Sequence, residues 1–463
     1  MSREGNEEPI EEEFADLRAL FERYPLAYAG YRISHIDRHS DDHRDNIASG
    51  TAEASEVPFL TSPLFPVILL GYLFIARLQH IIWRLIGLRK DSVTAADHLF
   101  SMTSSHGYRT YLSLDLASEL HNRGCDVALL CSPGVADHRK EWEETGARTV
   151  THRELHGRIP FHVSLRSVLR AVGVTITLIR GADVVSGFGQ YTRYYNYVFL
   201  EHVKRDSVRP LINDETSVHA FSPMPYLITA ASPSRVYVYQ HGIQWPDGKL
   251  MMAAPFFVPL TYFVWADSWR EHFRDYVHSK SRIVTAGSPW YDQLAERTED
   301  TKPSYDVLLV GNAVGHHSKL PPSYKQMVQN VVSFCEEHGY SLAIKLHPLE
   351  ESSQYEEYGW GHYVVPYEDI DTALLDARVS VTNTSSAFVE SAVLGVPAVV
   401  ADLGGRGLSS LSPVDNVRFT DGPAVTDALS SALDDPSTFS SNNASPMVRV
   451  EGSVERILSV VDE

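Results

Sequence analysis

Two successive runs of alternating apolar strands and helices constrain the fold of this chain more than any other feature. In the first run, an apolar strand over 98–102 is followed by a polar loop that contains a glycine, a helix over 111–123 and a strand over 126–131. Parallel strands need a crossover connection, and a helix is the usual one. The order strand, loop, helix, strand therefore predicts the opening of a parallel, doubly wound α/β sheet.

The alternation continues along most of the chain. Further strands of the first run are predicted at 183–186, 210–212, 236–239, 262–265 and 282–285. The second run is predicted to hold strands at 305–310, 341–346, 379–382 and 398–401, with helices at 321–338, 368–376 and 386–394. The fold class that follows is α/β, with two doubly wound domains facing a cleft. Ligands of such sheets bind at the carboxyl ends of the strands.

The length of 463 residues exceeds one ordinary hydrophobic core and agrees with two domains plus extensions. The polar stretch around Pro303 is interpreted as the linker between them. The predicted division is an acidic, partly disordered segment 1–56, a hydrophobic membrane-associated helical segment 57–90, a first domain 91–295, a second domain 304–434, and a loose segment with a terminal helix 435–463.

The hydrophobic segment carries no charge over residues 57–76. Prolines interrupt its first part, so a helix is expected from Pro66 onward. Arg77, His80 and Arg84 lie near one face of that helix, and the remaining residues are mainly apolar. This pattern favours a helix lying in the membrane surface, on the cytoplasmic side of the cell membrane. A buried helix between the domains is the alternative, and a true membrane span is the third interpretation.

The composition excludes several classes of function. A formal charge of −19 argues against nucleic-acid binding by a general basic surface. The three cysteines show no C-x-x-C spacing, and the 21 histidines form no motif typical of a metal site. No metal and no cofactor are expected. The excess of acidic residues and the scarcity of lysine fit a highly saline cytoplasm or an ordinary acidic protein, and both interpretations stay open.

One pair of strand ends in the second run carries the residue types of an anion site. His347 ends one strand, immediately before a proline, and Thr384, Ser385 and Ser386 lie between another strand and the helix that follows. Free N–H groups at a helix start, together with hydroxyl groups, bind phosphate. An ordinary serine N-cap is the alternative. Glu390, one turn into the helix, is a candidate to contact a ribose or sugar hydroxyl.

In each run, a glycine-containing loop follows the first strand. Gly311 and Asn312 are candidate donor-binding residues, because small residues let a backbone approach a ligand closely. The loop with Ser105, His106 and Gly107 is the candidate loop on the acceptor side.

His241, beside a glycine at the end of a strand in the first run, is the leading candidate for a catalytic base or phosphate ligand. Asp214 and Glu215 are the other catalytic candidates, since a carboxylate could also deprotonate an acceptor hydroxyl.

These loops together resemble a family of transferases. The segments that carry the resemblance are Tyr-Gln-His-Gly at 239–242, Ala-Gly-Ser-Pro at 286–289 followed by Asp292, Lys-Leu-His-Pro at 345–348, and Thr-Asn-Thr-Ser-Ser at 382–386 followed by Glu390 and Gly-Val-Pro at 395–397. The layout is similar to bacterial capsule polysaccharide and polysialic-acid transferases of the glycosyltransferase-B superfamily, and to CDP-glycerol glycerophosphotransferases.

The resemblance implies two Rossmann-like domains around a cleft. It also implies that His347, Ser385 and Ser386 hold the donor phosphate and that His241 is catalytic. The expected function is transfer of a sugar from a nucleotide-activated donor, which is a substrate and not a cofactor, to a glycan or lipid-linked acceptor of a surface polysaccharide. A glycerophosphotransferase of the CDP-glycerol type is the first alternative.

UDP-N-acetylglucosamine 2-epimerases are similar in fold and share the Glu-x-x-x-x-Gly-x-Pro helix. They carry an Asp-Ser-Gly-Gly loop where this chain has Asn-Thr-Ser-Ser at 383–386, and an Arg-Pro-Glu segment that is absent here. These differences argue against the epimerase interpretation. A non-catalytic binding protein is the remaining hypothesis, and it predicts nucleotide or glycan binding without turnover.

Overall fold

A computed structural model describes the two sheets, the helices that cover them and part of the hydrophobic segment. The described residues are 74–75, 78, 81–82, 97–101, 107–131, 139–151, 209–212, 237–240, 261–274, 281–297, 302–311, 320–347, 350–383, 385–403, 416–435 and 447–462.

The first half is a parallel sheet of seven described strands. The strands are β1 His98–Ser101, β2 Val127–Cys131, β3 Arg148–Thr151, β4 Arg209–Ile212, β5 Tyr237–Tyr239, β6 Thr261–Val264 and β7 Arg282–Thr285. The helices are α1 Gly107–Asn122, α2 Arg139–Glu144, α3 Asp267–Arg274 and α4 Pro289–Ala295. The spatial order is β3-β2-β1-β4-β5-β6-β7, so the order reverses between β1 and β4.

The second half is a parallel sheet of five described strands. The strands are β8 Tyr305–Val310, β9 Leu342–Lys345, β10 Ala377–Asn383, β11 Ala398–Ala401 and β12 Val417–Thr420. The helices are α5 Pro322–His338, α6 Ser353–Glu356, α7 Ile370–Leu375, α8 Ala387–Leu394 and α9 Val425–Asp434. The spatial order is β12-β11-β10-β8-β9, and its reversal falls between β8 and β10.

Both faces of the second sheet are covered, which explains why its strands are almost continuously apolar. Helices α5 and α9 pack on one face, against Leu309 and Ile344 among others. Helices α7 and α8 pack on the opposite face, against Leu308 and Ala343. Adjacent residues of a strand point to opposite faces, so Leu308 and Leu309 fill separate cores.

The end of the chain returns to the first half. A last helix, α10 Ser453–Val461, packs into the same core as Phe100 and Leu120 of the first sheet and its first helix. Its start is held by Asp292 of α4, which accepts hydrogen bonds from the Ser453 backbone N–H at 2.8 Å and the Ser453 hydroxyl at 2.5 Å. Asp292 thus caps α10 from another element, because Gly452 at the N-cap has no side chain to do so.

The two halves also touch through helices. Helix α4 of the first half packs against α8 of the second, and Arg297, just after α4, pairs with the buried carboxylate of Asp371 on α7. Helix α4 therefore contacts both the terminal helix and the second half.

The structure confirms the α/β class and most predicted elements, and it corrects several boundaries. Helix α1 begins at Gly107, so this glycine is the first residue of a helix and not part of a loop as predicted. The terminal helix predicted within 435–463 begins only at Ser453, because residues before it run along the first half: the Arg449 N–H donates to the Trp265 carbonyl at 2.8 Å. The strand predicted at 183–186 lies outside the described residues.

Part of the hydrophobic segment is described as helical. Its residues Phe74, Ile75, Leu78, Ile81 and Ile82 are between 40% and 56% exposed. The last four lie one, four, seven and eight residues after Phe74, a spacing that puts all five on one helical face. Within the described ranges, no helix is both long enough and apolar enough to cross a membrane. The prolines and the Arg77, His80 and Arg84 stripe of this segment lie outside the described residues.

Candidate functional site

Three neighbouring strands of the second sheet bring the predicted donor loops to one edge. Val310 at the end of β8 pairs with Lys345 at the end of β9 on one side and with Thr382 of β10 on the other. The Gly311 N–H extends the ladder by donating to the Lys345 carbonyl at 2.8 Å. Strands in a sheet are about 5 Å apart, so the chain leaves the sheet at three adjacent points. This edge contains the reversal between β8 and β10, where doubly wound sheets bind ligands.

The loop that carries His347 is closed by a buried glutamate. The His347 backbone N–H donates to Oε2 of Glu350 at 2.8 Å, and the Glu350 N–H donates back to the His347 carbonyl at 2.8 Å. The Tyr355 hydroxyl donates to the other carboxylate oxygen at 3.2 Å and lies 3.1 Å from the Tyr324 hydroxyl. These bonds fix the backbone of His347 where it leaves β9. Sequence reasoning missed Glu350, although its spacing of three residues from His347 was visible.

The glycine at the end of β8 faces the same glutamate. A Cβ added to Gly311 would overlap the carboxylate of Glu350 and lie 2.7 Å from the His347 backbone nitrogen. The space left by the missing side chain is therefore filled by the Glu350 carboxylate and the His347 backbone. A role for Gly311 in approaching a donor stays a prediction, and its neighbour Asn312 lies outside the described residues.

The start of α8 supplies the hydroxyl groups of the site. Ser385 and Ser386 are half-buried. The Ser385 hydroxyl accepts a hydrogen bond from the Ala387 N–H at 3.3 Å. In the described part of the chain, the Ser386 side chain makes no capping bond to the helix although it occupies the N-cap. The ordinary N-cap interpretation therefore does not account for Ser386, and Thr384 lies outside the described residues.

Glu390, one turn further along α8, is buried under the first half. Its side chain is 6% exposed, and Oε2 has no hydrogen-bond partner among the described residues. Burial raises the pKa of Glu390 to about 8, and its own backbone N–H and the Trp290 indole of α4 act in the opposite direction. The protonated carboxyl is thus favoured at neutral pH. A contact between Glu390 and a donor hydroxyl stays a prediction.

The catalytic candidates of the first half follow adjacent strands. Strands β4 and β5 pair in parallel, and the predicted Asp214, Glu215 and His241 come two or three residues after their ends. Gln240, the last described residue before His241, is held by two bonds to Trp265: its Oε1 accepts from the Trp265 backbone N–H at 3.0 Å and its carbonyl from the indole at 3.1 Å.

The residues whose predicted roles the structure does not reach are His241, Asp214, Glu215, Asn312, Thr384, Ser105 and His106, all of which lie outside the described residues. Among the described residues, no group of three or more His, Cys, Asp or Glu side chains is placed to hold a metal ion.

Comparison with known proteins shows what the fold resembles. No family model and no curated protein matches the sequence. Among solved structures, the UDP-GlcNAc 2-epimerase of Methanocaldococcus jannaschii in complex with UDP-GlcNAc and UDP is 11% identical, with a TM-score of 0.51, over 79% of this chain and 99% of that one.

Two further solved structures align over a similar extent. MurG of Acinetobacter baumannii is 14% identical over 79% of this chain and 99% of that one, with a TM-score of 0.44. A TarM variant of Staphylococcus aureus is 7% identical over 79% of this chain and 100% of that one, with a TM-score of 0.48. At these identities the likeness is one of fold, and the epimerase match carries it.

Proposed function

We propose that this protein is a glycosyltransferase that moves a sugar from a nucleotide-activated donor to a glycan or lipid-linked acceptor. One observation carries the proposal: the His347 loop, the β8 end at Gly311 and the serines that start α8 leave three adjacent strands at the reversal of the second sheet. Donor phosphate would bind there, and acceptor and base would come from the first half. Surface polysaccharide synthesis is the pathway that the sequence motifs favour.

The reaction needs a base for the acceptor hydroxyl and groups that stabilise the leaving phosphate. The acceptor hydroxyl oxygen forms a bond to the anomeric carbon while the bond from that carbon to the phosphate oxygen breaks. The nucleotide leaves with the electron pair, and the acceptor proton passes to the base. His241 is the first candidate for that base, with Asp214 or Glu215 next. The positive end of the α8 dipole and the His347 side chain would stabilise the charge that develops on the leaving phosphate.

Calorimetry with nucleoside mono- and diphosphates tests the donor site. The double substitution Ser385→Ala with Ser386→Ala should weaken binding by about 1.5–3 kcal/mol, as expected for hydrogen bonds to a charged group. The matched control is Ser430→Ala with Ser431→Ala, a serine pair on α9 of the same half. Equal affinities of both double variants would remove the serines from the donor site.

The rate of turnover tests the base. His241→Ala should lower the rate by about 10²- to 10⁴-fold and change nucleotide affinity little, because His241 belongs to the first half. Near-normal turnover would make His241 structural and Asp214 or Glu215 the next candidate.

Two other activities fit the same loops. A glycerophosphotransferase would use CDP-glycerol as donor, and the pairing of a His-Gly loop with a His-Pro loop and a Ser-Ser loop favours it as the alternative. A UDP-sugar 2-epimerase has the same fold as this chain, but it would act without an acceptor. The identity of the accepted donor and the need for an acceptor separate the three activities.

We also propose that the hydrophobic segment binds the cytoplasmic face of the cell membrane. Five apolar residues exposed on one helical face support a helix lying in the interface. The full chain should float with vesicles that contain anionic lipid, and a variant lacking residues 1–90 should not. Equal behaviour of the two proteins would reassign the segment as a brace between the halves.

A further inference from the structure

Lys345 occupies a central place in the candidate site. It is the last residue of β9, paired with Val310, and its carbonyl accepts the N–H of Gly311. Strand alternation puts its side chain on the same face as that of Ala343, and opposite to that of Ile344. Helices α7 and α8 cover that face. The site serines immediately precede α8.

Within the described ranges, the buried lysine lacks the partner that such a charge ordinarily has. Its side chain is 7% exposed. Among the residues that the structure describes, the ammonium group makes no hydrogen bond and no ion pair. Asp369, just before α7, acts on it only at longer range: burial lowers the pKa of Lys345, and Asp369 offsets part of that effect.

The surroundings of Lys345 show how a ligand would reach it. The residue is 7% exposed, so it is not fully closed off from solvent. A buried charge is costly unless an opposite charge compensates it. Buried charged groups that have a shifted pKa and lack an opposite charge are typical of functional sites. An anion that enters from solvent at the carboxyl edge of the sheet would supply the opposite charge that the described residues do not provide.

We infer that Lys345 binds a phosphate oxygen of the activated donor from the floor of the site, between the end of β9 and the start of α8. The inference rests on the proposed function and adds a residue to its donor site. A lysine supplies a point charge on a flexible stem, whereas the N–H groups of α8 are fixed. The two kinds of donor therefore complement each other: the helix start orients the phosphate, and Lys345 neutralises it. Phosphate is favoured over a carboxylate because Lys345, the start of α8 and His347 all lie at the carboxyl edge of the second sheet.

The experiment compares Lys345→Met with wild type in calorimetry against UDP, CDP, GDP, CMP and the corresponding nucleosides. Lys345→Met should bind the preferred nucleotide about 10- to 100-fold more weakly, the effect expected when a hydrogen bond to a charged group is lost. Affinity for the nucleoside, which lacks phosphate, should not change. Lys345→Arg should retain part of the affinity because it keeps the charge. The control is Lys325→Met, which removes a lysine of α5 whose ammonium group lies over the Tyr358 ring.

Each outcome decides one claim. Wild-type nucleotide affinity in a folded Lys345→Met protein, with folding checked by circular dichroism, overturns the role of Lys345 and leaves the proposed function standing. The same nucleotide affinity in a folded Lys345→Gln protein does so if the methionine variant fails to fold. Absence of nucleotide binding by the wild type overturns both proposals. An equal loss of nucleoside and nucleotide affinity overturns the phosphate contact in favour of a general packing role.

Discussion

Glu390 makes the stability of the protein depend on pH in a way that one substitution can isolate. Its pKa is raised from 4.5 to about 8 by burial between α8 and α4. A carboxyl group with a raised pKa in the folded state stabilises that state when it is protonated. The contribution is fully present below about pH 4.5 and is lost as the pH rises through about 8.

The size of the effect follows from the two pKa values. The interval between 4.5 and about 8 corresponds to about 5 kcal/mol, with a slope near 1.4 kcal/mol per pH unit inside it. Glu390→Gln keeps the shape of the side chain and removes the titration. We therefore expect the wild type to lose stability relative to Glu390→Gln as the pH rises from 5 to 8. Above that range, the difference between their free energies of unfolding should stay constant.

Urea unfolding at several pH values, followed by circular dichroism, measures this difference. The comparison with Glu390→Gln cancels the titration of all other groups. Glu337→Gln is the control, because Glu337 is exposed on α5 of the same half. If wild type and Glu390→Gln show the same dependence on pH, Glu390 is not buried as described and the packing of α4 on α8 is wrong.

Three further substitutions test the site and the packing. His347→Ala should weaken nucleotide binding by about 1.5–3 kcal/mol in calorimetry, and an unchanged affinity would exclude its side chain from the donor site. Gly311→Ala should lower the free energy of unfolding by about 1–3 kcal/mol, because the added methyl group displaces the Glu350 carboxylate. An unchanged free energy of unfolding in urea would contradict that overlap. Asp292→Ala should cost about 0.5–2 kcal/mol by removing the cap of α10 at Ser453, and hydrogen exchange should then be faster in α10; unchanged exchange would dismiss the cap.

The second half was the more predictable part of the fold. The strands predicted at 305–310 and 398–401 agree residue for residue with β8 and β11. Parallel strands covered on both faces are continuous apolar runs, which the sequence displays directly. The start of α1 was misplaced by four residues because the polar loop before it runs into the helix without a proline or a clear cap.

Other features depend on contacts between distant residues. Helix α4, only seven residues long, was not predicted as a helix, although its Pro289 and Asp292 stood in a motif. Its role appears only when α8 and α10 pack on it. The burial of Lys345 and the closure of the His347 loop by Glu350 likewise follow from how β8, β9 and their covering helices meet. Local patterns of polarity do not encode such pairings.

Turnover of nucleotide sugars tests the central claim most directly. Purified full-length protein is incubated with UDP-, GDP-, and CMP-linked sugars and with CDP-glycerol, with and without glycan or lipid-linked acceptors, and the released nucleotide is measured. Glycosyl transfer predicts that one nucleotide sugar is consumed, that release depends on an acceptor and that the sugar appears on that acceptor. Consumption of CDP-glycerol alone, conversion of a UDP-sugar to its 2-epimer or free sugar without an acceptor, or nucleotide binding without any turnover would contradict it.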